Sequence, residues 1–147
     1  MNRKTITLLA LGMIIGLFLA HRDAFSESNT PELETRTQVI KNITPEEAHA
    51  LIEKNRNNPD FVILDVRTPE EFAEGHIEKA VNLNYYSATF RDDLNKLDKN
   101  KTYVTHCRSG NRSGKTLDIM KELGFNEAYN MTDGIIGWKE KGFPTME

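Results

Sequence analysis

A strand-like run, Thr102-Tyr103-Val104-Thr105-His106, carries the single cysteine of this sequence into the loop Cys107-Arg108-Ser109-Gly110-Asn111-Arg112-Ser113-Gly114, and a helical stretch follows at once. A strand, a short loop of Gly, Ser, Asn and Arg, and then a helix aim backbone N–H groups at whatever lies in the loop. Their partial positive charge, with two guanidinium groups nearby, favours the thiolate of Cys107, the form in which cysteine is a nucleophile. A lone cysteine is more often a small buried apolar residue. Here the residues after it cannot be core: Arg108, Ser109, Asn111 and Arg112 are polar, and Gly110 and Gly114 suit turns with positive φ. His106 lies beside the nucleophile in sequence, but successive strand residues point to opposite faces. With no Asp or Asn nearby as an obvious orienter, it reads as packing or support rather than as a general base.

The elements that must position this loop are legible around it. Thr44-Pro45-Glu46-Glu47 is a capping box with proline in the first turn, and Ala48, Leu51 and Ile52 supply the apolar stripe of the helix it opens. Phe61-Val62-Ile63-Leu64 is a continuous apolar run, as in a strand buried on both faces, and it ends at Asp65-Val66-Arg67. Thr68-Pro69-Glu70-Glu71 repeats the capping-box design and opens a short helix that stops near Gly75-His76-Ile77. Ala80–Leu83 reads as a short strand and Ser87–Leu97 as helical. Ser113–Leu123 is the helix behind the loop, with Ile119, Met120 and Leu123 toward the core and Gly124 closing it. Glu127–Met131 is a last strand, and a closing helix begins at Gly134. Alternating strands and helices predict an α/β fold: a central, mostly parallel sheet with helices on both faces. Ligands of such sheets bind at the carboxyl ends of the strands, where Asp65 and Cys107 both fall.

At 147 residues, 38% hydrophobic and 28% charged, the sequence holds one domain plus a leader. Asn2-Arg3-Lys4 precedes an uncharged run from Thr5 to Ala20, which His21-Arg22-Asp23 closes. Residues 1–24 therefore read as a signal peptide or N-terminal anchor. The run is shorter than the ~20 residues that usually span a bilayer, which favours cleavage. Ala20 and Ala24 are nevertheless poor cleavage sites, so a membrane tether through residues 5–20 stays open. Residues 25–39 are polar and read as a flexible linker, leaving 40–147 as the domain. The expected location is exported: periplasmic, or anchored and facing the periplasm, with Arg3 and Lys4 inside. Without residues 1–24 the net charge falls from −3 to −5, and no basic stripe is visible, which argues against nucleic-acid binding. One cysteine cannot form an internal disulfide, and an exported lone thiol points to chemistry.

The segments Leu64-Asp65-Val66-Arg67-Thr68-Pro69-Glu70-Glu71-Phe72, Gly75-His76-Ile77, Ala80-Val81-Asn82-Leu83, Cys107–Ser113 and Gly134-Ile135-Ile136-Gly137-Trp138 together resemble a single-domain rhodanese, in the family's order and spacing over roughly residues 40–145. The resemblance implies a rhodanese-like fold and a sulfurtransferase. Cys107 would take a sulfane sulfur from a small anionic donor such as thiosulfate, hold it as a persulfide, and pass it to cyanide or a thiol by covalent, ping-pong catalysis. No cofactor and no metal is called for. Arg108, Ser109, Gly110, Asn111, Arg112 and Ser113 would bind the donor, the two arginines through bidentate contacts to its oxygens. Arg112 has a second reading, as a brace on a carboxylate such as Glu71. Asp65 and Arg67 fit a structural tie between loops better than a catalytic pair; His76 and Trp138 also read as structural. One departure is visible: where the family usually has a glycine pair before the closing helix, this sequence has Asp133-Gly134.

Two other classes fit less well. A cysteine phosphatase or arsenate reductase places five residues between Cys and Arg, making a cradle wide enough for phosphate; here four residues separate Cys107 from Arg112. A non-catalytic partner-binding module of the same fold would be expected to have lost the cysteine or degraded its loop, and neither has happened.

Overall fold

Short apolar runs and capped helices alternate to build one sheet. The computed structural model describes residues 37–147, so the leader at 1–24 and most of the linker at 25–39 lie outside the described residues. In chain order the elements are β1 (Val39–Ile43), α1 (Pro45–Lys54), β2 (Phe61–Asp65), α2 (Pro69–Ala73), β3 (Val81–Asn82), α3 (Phe90–Asn95), β4 (Thr102–His106), α4 (Asn111–Glu122), β5 (Glu127–Met131) and α5 (Gly134–Glu140). The five strands lie in the order β1-β5-β4-β2-β3, and every pairing between them is parallel.

Two apolar layers cover the sheet, one on each face. Ile43, Ile63, Val104, Tyr129 and Met131 face Ala48 of α1 and Ile135 and Trp138 of α5. Leu64, Tyr103 and Ala128 face Phe90 and Leu94 of α3 and Leu117 and Met120 of α4. The alternation of Tyr103 and Val104 between the layers carries through to the end of β4. Cys107 continues the side of Tyr103, and His106 the side of Val104.

Both capping boxes form as the sequence indicates. The Thr44 hydroxyl accepts from the Glu47 N–H and the Glu47 carboxylate from the Thr44 N–H, and Thr68 and Glu71 repeat the arrangement. Four boundaries differ from the sequence reading. Val39, assigned to the linker, opens β1, which pairs with β5, and the Gln38 amide already donates to Lys121 O and Phe125 O. Its alternation is hidden because Lys41 and Asn42 are exposed at the sheet edge. The helix α4 starts two residues early, at Asn111, because Gly110 at φ 88° makes the turn. The helix α3 is shorter than Ser87–Leu97, and β3 shorter than Ala80–Leu83.

The turn into α5 is where backbone approaches backbone most closely. Gly134 has φ 55°, and a Cβ there would lie 2.5 Å from the carbonyl carbon and oxygen of Arg108, with Cys107 O nearer still. That closeness lets Ile135 N–H donate to Cys107 O (2.9 Å) and Ile136 N–H to Arg108 O (3.2 Å). Gly134→Ala is therefore expected to cost roughly 2–3 kcal/mol, from collision and a left-handed backbone together. Gly142→Ala, at φ 73° with open space around it, should cost only about 1 kcal/mol. Urea midpoints of the two variants measure this, and equal losses would contradict a tight approach at Gly134.

Candidate active site

Cys107 lies at the carboxyl end of the central strand β4 and is 1% exposed. Its loop wraps the sulfur rather than leaving it in an open cleft. The Ser113 hydroxyl donates to Sγ at 3.4 Å. Burial alone pushes the thiol pKa up. Hydrogen bonds from the Ser113 hydroxyl and from the backbone N–H groups of Ser113, Ser109 and Gly110 outweigh it, so the pKa lies below its ordinary value. Dipoles that the fold has already oriented favour the anionic form of this buried sulfur.

The six loop residues assigned to donor binding divide by what their side chains do. Ser109, Gly110 and Ser113 supply the N–H groups, and Ser113 also its hydroxyl. Arg108 and Asn111 are exposed, and among the described residues neither side chain makes a hydrogen bond or ion pair, so the Arg108 charge faces solvent. Arg112 is engaged. Its Nη1 and Nη2 donate to Glu71 Oε2 (2.7 Å) and Oε1 (2.8 Å), the brace reading rather than a free donor fork. Its guanidinium carbon also stands 5.4 Å from the ring centre of Tyr86, a residue that no motif or spacing in the sequence singles out.

Behind that brace is a second ion pair. Asp65 and Arg67 are 0% and 4% exposed. Arg67 Nη2 meets Asp65 Oδ2 at 2.6 Å, while Nη1 and Nη2 also donate to the carbonyls of Glu71 and Gly75 (both 2.8 Å). The pair thus clamps α2 onto the end of β2. Asn82 of β3 adds to it, donating to Asp65 O and Arg67 O. Asp65 and Arg67 hold loops, and Glu71 on the clamped helix holds Arg112.

His106 turns away from the sulfur. It is fully buried on the other face, with Nδ1 3.3 Å from Cys107 O and Nε2 3.6 Å from Asp65 Oδ2. The absence of an orienting Asp is corrected here: parallel register sets Asp65 directly opposite His106. The Asp65 oxygens are occupied by Arg67, and burial holds the imidazole pKa low, so His106 is neutral packing. His76 stacks on Phe72 and pairs its backbone with Met146, and Trp138 is 2% exposed with Nε1 donating to Pro144 O. Among the described residues, no group of three or more His, Cys, Asp or Glu could hold a metal ion.

The brace has a pH signature. The Arg112 guanidinium holds the Glu71 carboxyl down at about 2, from an ordinary 4.5. A depressed carboxyl stabilises the fold above its unfolded value and loses that contribution as pH falls through its folded value. Glu71→Gln should therefore cost about 1–2 kcal/mol near pH 7. The difference from wild type should shrink between pH 4.5 and 2. Denaturation at several pH values checks this; a gap that persists at pH 2 would mean the charge pair is not its source.

The profile of the rhodanese-like domain family matches residues 44–141. A protein of Allochromatium vinosum named sulfurtransferase is 30% identical over 100 residues, covering 68% of this chain and 92% of its own. A rhodanese-like domain protein of Staphylococcus aureus, solved by crystallography, is 33% identical with a TM-score of 0.58, covering 73% of this chain and 99% of that one. A rhodanese-related protein of Thermoplasma volcanium has the same TM-score at 28% identity, covering 74% and 97%. A match running from the first capping threonine to the end of the closing helix, on a fold shared with solved members, places the chain in the rhodanese-like domain family.

Proposed function

We propose that the protein is a sulfurtransferase that carries sulfane sulfur on Cys107. The observation that carries this reading is the sulfur itself, buried and ringed by the N–H groups of Ser109, Gly110 and Ser113 and by the Ser113 hydroxyl. In the first half-reaction the Cys107 thiolate attacks the outer sulfur of thiosulfate. The S–S bond of the donor breaks, sulfite leaves with the electron pair, and Cys107 becomes a persulfide anion. In the second, cyanide or a thiolate attacks the terminal sulfur, and Cys107 leaves as the thiolate with which it began. No proton need be moved at either step, which fits a site whose neighbouring imidazole, His106, faces away. The same N–H groups stabilise thiolate and persulfide in turn. Arg108, exposed and without a side-chain partner among the described residues, supplies the charge that draws in an anionic donor.

The state of Arg112 favours this reading over a phosphatase. A phosphate cradle uses the arginine at its end to grip equatorial oxygens, whereas here Glu71 takes that fork in a bidentate pair. An intact cysteine and its donors likewise favour an enzyme over a partner-binding module.

We propose further that the domain works outside the cytoplasm, in the periplasm of a Gram-negative source, exported by the basic start and apolar run of the leader. Residues 5–20 tether it if the leader is retained.

One experiment tests both proposals. Intact mass of the protein recovered from the periplasmic and membrane fractions, before and after thiosulfate, reports the N-terminus and any gain of one sulfur atom. The expected result is uptake of one sulfur that cyanide removes as thiocyanate, and no uptake by Cys107→Ser. Turnover by the Ser variant, or full-length protein confined to the cytoplasm, would overturn the respective proposal.

A further inference from the structure

Tyr86 is 67% exposed, the most exposed of the large apolar side chains described. It is nevertheless held in place. Its N–H donates to Asn84 Oδ1 (3.0 Å), and the neighbouring Tyr85 N–H donates to Val66 O at the end of β2 (3.2 Å). Tyr85 packs on the core residue Phe90 (5.1 Å between ring centres) and meets the Tyr86 ring edge-on at 5.6 Å. The Tyr86 ring stands against Arg112, which Glu71 fixes from its own side. A rigidly supported aromatic ring, largely in water and beside the Cys107 loop, has no partner within the described domain that accounts for its exposure.

Cyanide extends little beyond the sulfur it attacks and needs no surface outside the loop. A peptide-borne thiol brings a body that must lie on the rim outside the loop. Tyr86 offers that body a flat amphipathic surface with little entropy left to lose. At the other end of the loop Ile136, 40% exposed, has its N–H on Arg108 O, and the exposed Arg108 guanidinium, unpaired among the described residues, suits a peptide carboxylate. We infer that Tyr86 is a specificity-determining residue for the second half-reaction, selecting acceptors whose thiol is carried on a peptide. The inference rests on the sulfurtransferase reading. The step is balanced without any further reactant. The acceptor thiolate attacks the terminal sulfur of the Cys107 persulfide, the S–S bond breaks, and the products are a peptide persulfide anion and the Cys107 thiolate.

The test compares glutathione with cyanide as acceptors, using thiosulfate-loaded wild type, Tyr86→Ala and Tyr86→Phe. Loss of one aromatic contact of about 1–1.4 kcal/mol corresponds to roughly a five- to ten-fold change. The ratio of kcat/KM for glutathione to that for cyanide should fall by that factor in Tyr86→Ala, chiefly through the glutathione KM, and be kept in Tyr86→Phe. A ratio within two-fold of wild type in Tyr86→Ala would overturn the inference, as would an equal fall in Tyr86→Phe. Failure of the wild type to turn over with cyanide would instead sink the sulfurtransferase reading on which it rests.

Discussion

A buried sulfur surrounded by oriented hydrogen-bond donors is the constraint on which the carboxyl end of this sheet depends. Burial by itself works against the thiolate, and the hydrogen-bond donors fixed around Sγ outweigh it, so the thiol pKa lies below its ordinary value. Those donors belong to a loop of a few residues, which has no core of its own. Its shape must be imposed by its neighbours, and most of the polar structure at the carboxyl end of the sheet serves that purpose.

Two tethers act on the loop from different sides. On one, Asp65 orients Arg67, Arg67 holds the carbonyls of Glu71 and Gly75, and Glu71 holds Arg112. Glu71 serves twice, since its Oε2 also completes the capping box of α2 by accepting from the Thr68 N–H. On the other side, Ile135 and Ile136 at the start of α5 donate to the carbonyls of Cys107 and Arg108, an approach only glycine at position 134 permits. The first tether is electrostatic and weakens in acid. The second is steric and does not.

The fold was largely legible because its signals are local. The capping boxes at Thr44 and Thr68, the apolar run 61–64 and the glycine turn at 110 each act within a few residues. β1 leaves no local signal because its outward residues sit at an open edge and its pairing is with β5, nearly ninety positions away. Within the site, Cys107 and the N–H donors could be read from the loop composition. The choice between donor fork and brace for Arg112 could not, because it depends on a carboxylate 41 residues distant. Strand register, which sets Asp65 beside His106, and the stacking of Tyr86 on Arg112 are likewise long-range facts with no signature in spacing.

The central claim, that oriented loop donors hold Cys107 as a thiolate, is tested most directly by the pH dependence of its iodoacetamide labelling, with and without thiosulfate. As the only cysteine, Cys107 gives an unambiguous signal. The account predicts a labelling midpoint below that of a free thiol, an upward move of that midpoint in Ser113→Ala, and protection by thiosulfate. An ordinary midpoint, unmoved by loss of the Ser113 hydroxyl and without protection, would contradict it.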